Sequence, residues 1–170
     1  MKQSLTKIKD DLYYDERSAG GIVYKIEKDK ILWLLIKTIR VKRFNRMGVG
    51  GKSGNKIIYK FPKGHLNTNE FLKQAALREV EEEGRIKAKI IGKIGSRDYI
   101  MVSKWERKKT IKRVTFFLMK YIEDSSLRHF DKEVVLDRMW LTYKEACNLL
   151  TYDSEKVLLT RGKMKLDKVK

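Results

Sequence analysis

A chain of 170 residues suits one domain with a substantial core, and its longest clear apolar run, Ile31 to Ile36, is far too short to span a bilayer. Forty Lys and Arg against 22 Asp and Glu leave a formal charge of +18, a field that concentrates nucleotides, RNA and polyphosphates, although solubility or proteome bias accounts for such an excess equally well. The single cysteine, Cys147, excludes an internal disulfide and any cysteine-rich metal site, and its setting in EACNLL predicts a buried structural thiol.

The opening MKQSLTKIKDDLYY lacks the apolar core of a secretory signal, so the expectation is a soluble, cytoplasmic protein with no membrane partner, one domain over residues 1–170. Ser18 to Lys25 and Ile31 to Ile39 are apolar and β-branched, separated by the polar turn Glu27 to Lys30, and predict a buried strand pair. Residues 40–56 form a glycine-rich basic insertion without an acid. Its Gly51-Lys52-Ser53 invites a phosphate-loop reading, but Arg46 stands where that motif needs its first glycine. Ile57 to Phe61 predicts a strand that Pro62 ends, because proline donates no ladder hydrogen bond.

A loop through Asn69 then feeds a helix that Thr68 or Asn69 can cap. Phe71, Leu72, Ala75, Ala76 and Val80 form its apolar stripe, which leaves the charged face looking outward. Downstream, Lys87 to Ile100 and Thr110 to Tyr121 predict strands around the basic loop SKWERKK. Met139 to Leu141 predicts a short strand, with helices at Lys144 to Leu150 and near Ser154 to Lys165, where a basic tail closes the chain. Strands interrupted by one strong helix and finished by helices predict an α+β sandwich.

The chemistry lies in residues 64–83, GHLNTNEFLKQAALREVEEE. Glu79, Glu82 and Glu83 stand at i, i+3 and i+4, so their carboxylates share one helical face and repel one another. A hard divalent cation turns that repulsion into binding, because it takes oxygen ligands and completes its shell with substrate phosphates. Three glutamates alone more often mark a solvated face. Gly64, Glu70 and Arg78 in register with them overturn that bland account.

This spacing resembles the signature of the Nudix hydrolases: a glycine, five residues, a glutamate, seven residues, then R-E-U-x-E-E-x-G-U with U aliphatic. It runs here through Gly64, Glu70, Arg78, Glu79, Val80, Glu82, Glu83 and Ile86. Arg85 occupies the position of the last family glycine, and Gly84, one place earlier, is expected to end the helix instead. The resemblance implies a Nudix-type α/β/α sandwich with a mixed β-sheet and a loop-helix-loop motif. It also implies metal-dependent hydrolysis of a phosphoanhydride bond, with Mg²⁺ as the default ion and Mn²⁺ able to use the same oxygens.

Under that resemblance Glu82 and Glu83 are the main metal ligands, Glu79 is a further ligand or the base, and the Lys63 backbone carbonyl adds a donor. Arg78 and Glu70 pair to brace the carboxylates, and Gly64 admits the backbone close to metal and phosphate. Lys63 and His65 flank the motif glycine and can reach phosphate; His65 alternatively covers the loop. Glu133 lies where some relatives carry another acidic ligand, or is a surface acid.

SAGGIVY, FPKGH, KRVTFFLMKY and WLTYKEACNLL occur in the order seen in the diadenosine tetraphosphate hydrolase branch. In that branch aromatic side chains hold a purine and lysines hold the remote phosphates, which makes Tyr99 and Lys112 substrate-binding candidates. At least one of Phe116 and Phe117 should be core, since neighbours on a strand face opposite ways, and Trp140 is most simply core. Rival functions are pyrophosphate removal from RNA 5′ ends or RNA binding, hydrolysis of nucleoside triphosphates or diphosphoinositols, and a binding module without catalysis.

Overall fold

The computed structural model describes residues 16–40, 56–102, 109–126 and 135–168. The basic insertion with its Gly51-Lys52-Ser53, the centre of SKWERKK and Glu133 lie outside the described residues.

β1 (Glu16–Glu27) and β2 (Lys30–Arg40) form an antiparallel hairpin closed by Lys28 and Asp29, both left-handed with φ of 48° and 60°. Two such residues give a turn whose twist matches that of the flanking strands. β3 (Lys56–Lys60) pairs with β2 and stops ahead of Pro62 as expected. The next three residues then pair again, which the sequence pattern did not suggest. β4 (Lys63–His65) runs antiparallel to β1, with Gly20 opposite Lys63 and Ser18 opposite His65. Lys-Gly-His carries no apolar alternation, so this strand exists only because the β1 backbone is there to receive it.

β5 (Ile86–Val102), β6 (Lys109–Asp124) and β7 (Val135–Leu141) complete a seven-stranded sheet of order β3-β2-β1-β6-β5, with β4 on β1 and β7 on β2. β6 runs parallel to β1 while the other pairs are antiparallel, so the sheet is mixed. Helix α1 (Leu72–Gly84) packs Ala75, Ala76 and Val80 on one face against Ala19, Val23, Leu34, Ile86, Phe117 and Met119. Helices α2 (Tyr143–Leu149) and α3 (Asp153–Asp167) cover the other, where Ala146, Leu158, Leu159 and Leu166 meet Ile22, Trp33, Val114, Phe116 and Leu118. The expected α/β/α sandwich is the observed architecture. Among the described residues, no helix is long and apolar enough to cross a membrane.

At least one of Phe116 and Phe117 was expected in the core; both are buried, one in each core. Trp140 is partly buried beside the α1 core, and Cys147 is only partly buried against the other. Both ends of α1 differ from expectation. Asn69 sits in a left-handed turn with φ 63°, and the helix starts after Phe71, whose N–H donates to Gln74 Oε1 at 3.1 Å. Gln74 thus satisfies the Phe71 N–H, the N-cap side chain makes no capping bond of the kind expected from Thr68 or Asn69, and Phe71 leaves the apolar stripe, 69% exposed.

At the far end Gly84 remains helical, and Arg85 itself takes the left-handed conformation, φ 50° and ψ 37°. The expectation that Gly84 ends the helix is thus corrected. Tertiary bonds hold the turn: Ser125 N–H donates to the Arg85 carbonyl at 2.9 Å, and Arg138 Nη1 donates to the Gly84 carbonyl at 2.9 Å, a cation where a helix end welcomes one. A side chain in this conformation costs about 1 kcal/mol, which glycine does not incur. Arg85→Gly should therefore raise the unfolding free energy by roughly 0.5 to 1 kcal/mol, read from urea denaturation; an equal or lower midpoint would contradict this account.

Candidate active site

Arg78 is the hub of the motif. Its Nε and Nη2 donate to the two oxygens of Glu70 at 2.8 and 2.9 Å, a planar fork matching a carboxylate. Nη1 donates to Glu79 Oε1 at 2.7 Å and to Glu82 Oε2 at 3.0 Å, and Nη2 also reaches the His65 carbonyl at 2.9 Å. One guanidinium thus binds three carboxylates and the backbone of β4. Glu70 is fixed from its other side by the Asn67 N–H, at 2.9 Å. The Arg78 fork holds the Glu70 carboxyl below the usual carboxylate range.

The glutamates do not look outward as the helical pattern suggested. Glu79 and Glu83 are 9% and 8% exposed, because β4 lies across the acidic face of α1. Burial raises the proton affinity of Glu79, and Arg78 opposes that shift. Gly64 explains how so large a side chain fits: a Cβ at this position would stand 2.2 Å from the Glu79 carboxyl carbon. The missing side chain is the pocket for that carboxylate. Glu83 accepts from the Lys63 N–H at 2.8 Å through Oε2, and its Oε1 lies 3.4 Å from Lys60 Nζ.

Among the described residues no three histidine, cysteine or acidic side chains form a ready-made metal cage. The donor set nevertheless suits a hard cation. Glu79 and Glu82 converge on one positive group, the guanidinium, with Glu83 and the Lys63 backbone beside them, and all are oxygen donors of the kind Mg²⁺ takes.

Beside the motif, Lys112 of β6 touches His65 of β4 and pairs in register with Tyr99 of β5. Tyr99, Lys112 and Glu16 stand in one row across β5, β6 and β1, where register partners share a face. Lys112 Nζ lies 2.8 Å from His65 Nε2 and 3.6 Å from Glu16 Oε2, and His65 Nε2 lies 3.1 Å from that same oxygen. One ring nitrogen either donates to Glu16 or accepts from Lys112, so the trio has two alternative hydrogen-bonding states. His65 and Lys112, chosen independently from the sequence, therefore meet. Tyr99 is partly buried against the α2/α3 core, and burial pushes its phenol upward.

Sequence reasoning missed Glu16, Lys60 and Glu155. Glu16 precedes the apolar run and belongs to no sequence motif; its partners appear only when β6 aligns beside β1. Lys60 is 5% exposed and Glu155 is 1% exposed, although both residue types read as surface. Glu155 Oε2 accepts from the Phe61 N–H at 3.2 Å, and burial pushes its carboxyl up to about 7 despite the opposing charge of Lys63.

The family model for the NUDIX domain matches residues 17–162. The chain belongs to the Nudix hydrolase family. Two curated relatives are similar in sequence. The asymmetrical bis(5′-nucleosyl)-tetraphosphatase of Sus scrofa is 35% identical over 107 residues, covering 59% of this chain and 67% of that protein. A Mycobacterium tuberculosis protein named as a mutator protein, MutT4, is 29% identical over 155 residues; the match covers 91% of this chain but only 57% of that relative. Among solved structures, a Caenorhabditis elegans Ap4A hydrolase complex superposes with a TM-score of 0.60 at 21% identity, covering 90% of this chain and 98% of that one. A Nitrosomonas europaea NUDIX hydrolase gives 0.62 at 17% identity, covering 88% and 89%. At these identities the structures share the fold. The branch resemblance agrees with the tetraphosphatase match.

Two predictions follow from this geometry. In Gly64→Ala the atom that must yield is the end of a flexible side chain, so the fold should survive with a stability loss within about 1 kcal/mol while the Glu79 carboxylate is expelled. Thermal melts should stay near wild type as Mn²⁺ affinity, titrated by electron paramagnetic resonance, falls on the order of 10- to 100-fold; unchanged affinity would refute the pocket role.

The second concerns Glu155. Its carboxyl is raised from 4.5 to about 7, so the folded chain binds this proton more tightly than the unfolded chain. The group contributes stability that is full below pH 4.5 and is lost as pH rises through 7. Glu155→Gln cannot ionise, so it should gain on wild type between pH 5 and 8, by up to about 3 kcal/mol. A pH-independent difference between the two would rule this out.

Proposed function

We propose that this protein hydrolyses a phosphoanhydride bond of a nucleoside polyphosphate, with a dinucleoside polyphosphate such as diadenosine tetraphosphate as the substrate the residues fit best. The observation that carries the proposal is the meeting at β4 of two chemistries. Behind it stand the carboxylates gathered by Arg78 against Gly64; beside it stand Lys63, Lys112, His65 and Tyr99. The first group suits a divalent cation, Mg²⁺ or Mn²⁺, and the second suits phosphates and a flat base.

In this reading Glu79, Glu82, Glu83 and the Lys63 carbonyl hold the cation, which when bound supplies the positive charge that offsets the phosphate oxygens. Glu79 or Glu82 takes the proton of an attacking water. A new P–O bond forms to that water, the anhydride P–O bond breaks, and the departing phosphate keeps the electron pair. Lys63, Lys112 and His65 bind the phosphates that do not react, and Tyr99 offers its ring to the base. Arg78 keeps the carboxylates separate and oriented. The similarity to the porcine tetraphosphatase supports the choice of substrate class.

The charge of +18 favours a second reading, in which the substrate is the triphosphate end of an RNA whose backbone follows the basic surface. Salt separates the two, because a bound RNA backbone releases counterions and a small polyphosphate releases few. Turnover of diadenosine tetraphosphate and of 5′-triphosphate RNA should be compared at 50 and at roughly 200 mM salt, in oxygen-18 water to mark the attacked phosphorus. The proposal expects faster and less salt-sensitive turnover of the dinucleotide; preference for RNA with a steep salt dependence would replace it with the second reading. Glu82→Gln should lower hydrolysis on the order of 100-fold or more while the chain stays folded. Retained hydrolysis would dismiss the metal role of Glu82.

A further inference from the structure

Glu16, the first residue of β1, is an acid that the proposed chemistry does not use, yet it stands among the groups read as phosphate ligands. Register fixes its side of the sheet. Ser18 lies opposite His65 and Gly20 opposite Lys63, so Glu16, two residues ahead of Ser18, shares their face, and the row Glu16, Lys112, Tyr99 lies on it too. There Glu16 Oε2 is 3.1 Å from His65 Nε2 and 3.6 Å from Lys112 Nζ, and the two nitrogens are 2.8 Å apart. A single carboxylate oxygen sits against both His65 and Lys112.

A carboxylate oxygen and a phosphate oxygen ask the same of a lysine and an imidazole, which is an N–H donor or a positive charge at close range. Glu16 therefore offsets the Lys112 charge and stands at the His65 nitrogen before any ligand arrives. A phosphate cannot take the pair while that oxygen stays, because like charges at such separations repel. The carboxylate is not locked in place. The side chains of Glu16, His65 and Lys112 are 37%, 61% and 18% exposed, so solvent reaches the cluster, and an ion pair this open is weak. His65 is held more firmly, because Arg78 Nη2 donates to its carbonyl at 2.9 Å and so ties its backbone to the motif.

We propose that Glu16 sets the affinity of the substrate site: its carboxylate is a resident anion on Lys112 and His65, and a polyphosphate displaces it on binding. This rests on the reading of Lys112 and His65 as phosphate ligands and adds to it a competitor built into β1. A Glu16 that only braced Lys112 for the substrate has the opposite consequence, weaker binding when the carboxylate is removed.

The test is titration calorimetry of the full chain with the magnesium complex of a tripolyphosphate whose bridging oxygens are replaced by methylene groups, a probe with no base and no anhydride bond to cleave. Wild type, Glu16→Gln, Glu16→Asp, Lys112→Met and the double variant Glu16→Gln with Lys112→Met are compared, with thermal melts of each. Glu16→Gln should tighten binding about fivefold, the scale of an exposed ion pair, and Lys112→Met should weaken it by about as much. With Lys112→Met already present, Glu16→Gln should change binding less than about twofold, because groups that act through one another are not additive. Glu16→Asp keeps the charge and loses the reach, so it should bind between wild type and Glu16→Gln. Binding by Glu16→Gln that is weaker than wild type or within twofold of it, equal tightening with and without Lys112, Glu16→Asp indistinguishable from wild type, or failure of Glu16→Gln to fold would each overturn the proposal. Weakening by Lys112→Met without tightening by Glu16→Gln would sink this inference alone; a wild type that does not bind the probe, or a Lys112→Met variant that binds it as wild type does, would sink the phosphate role of Lys112 and this inference with it.

Discussion

Four acidic side chains crowd the loop and helix around Gly64, and the arrangement is tenable because one guanidinium stands among them. Arg78 takes both oxygens of Glu70, one oxygen each of Glu79 and Glu82, and the carbonyl of His65. Lysine could neutralise the charge but could not present this fork, whose planar donors set the angle as well as the distance of each carboxylate. The same contacts fasten α1 to β4, so the charge balance of the motif and its position on the sheet are one interaction.

β4 is the hinge between two kinds of chemistry. Its short pairing with β1 lays Lys63, Gly64 and His65 across the end of α1, which buries Glu79 and Glu83 and turns their side chains under the strand. Gly64 is the position where helix and strand would otherwise collide. On the far side of the strand, β1, β6 and β5 align Glu16, Lys112 and Tyr99, and α3 adds Glu155. Parallel pairing of β1 with β6 is what brings residues nearly a hundred positions apart into this row. The fold thus sets a cluster of carboxylates and a row of polar, basic and aromatic side chains within one short strand's width.

Such proximity has an electrostatic cost that the structure distributes. Burial depresses the Lys63 ammonium, the charge of Lys60 adds to it, and two carboxylates from different helices oppose them. Glu83 serves the motif as well as the lysines, whereas Glu155 belongs to the C-terminal helix. Buried ion clusters of this kind are a weak source of stability, since desolvation consumes most of the attraction. Their presence beside the acidic motif fits a site that holds its charges ready rather than one arranged for maximal stability.

Local chemistry alone made much of this protein legible. Strand runs, the turn before Lys30, the stop at Pro62, the apolar stripe of α1 and the spacing from Gly64 to Glu83 are written in residue type and period, so they could be read without a partner. β4, left-handed Arg85, the buried faces of Glu79 and Glu83, and the roles of Glu16, Lys60 and Glu155 could not. Each depends on a group distant in the chain: β1 beneath Lys63 to His65, Ser125 and Arg138 at the end of α1, the Phe61 N–H before Glu155. By itself the sequence determined the elements and the motif, because propensity and side-chain period act over a few residues; only tertiary structure decided which charges are buried and which face one another, because solvation and pairing are properties of space.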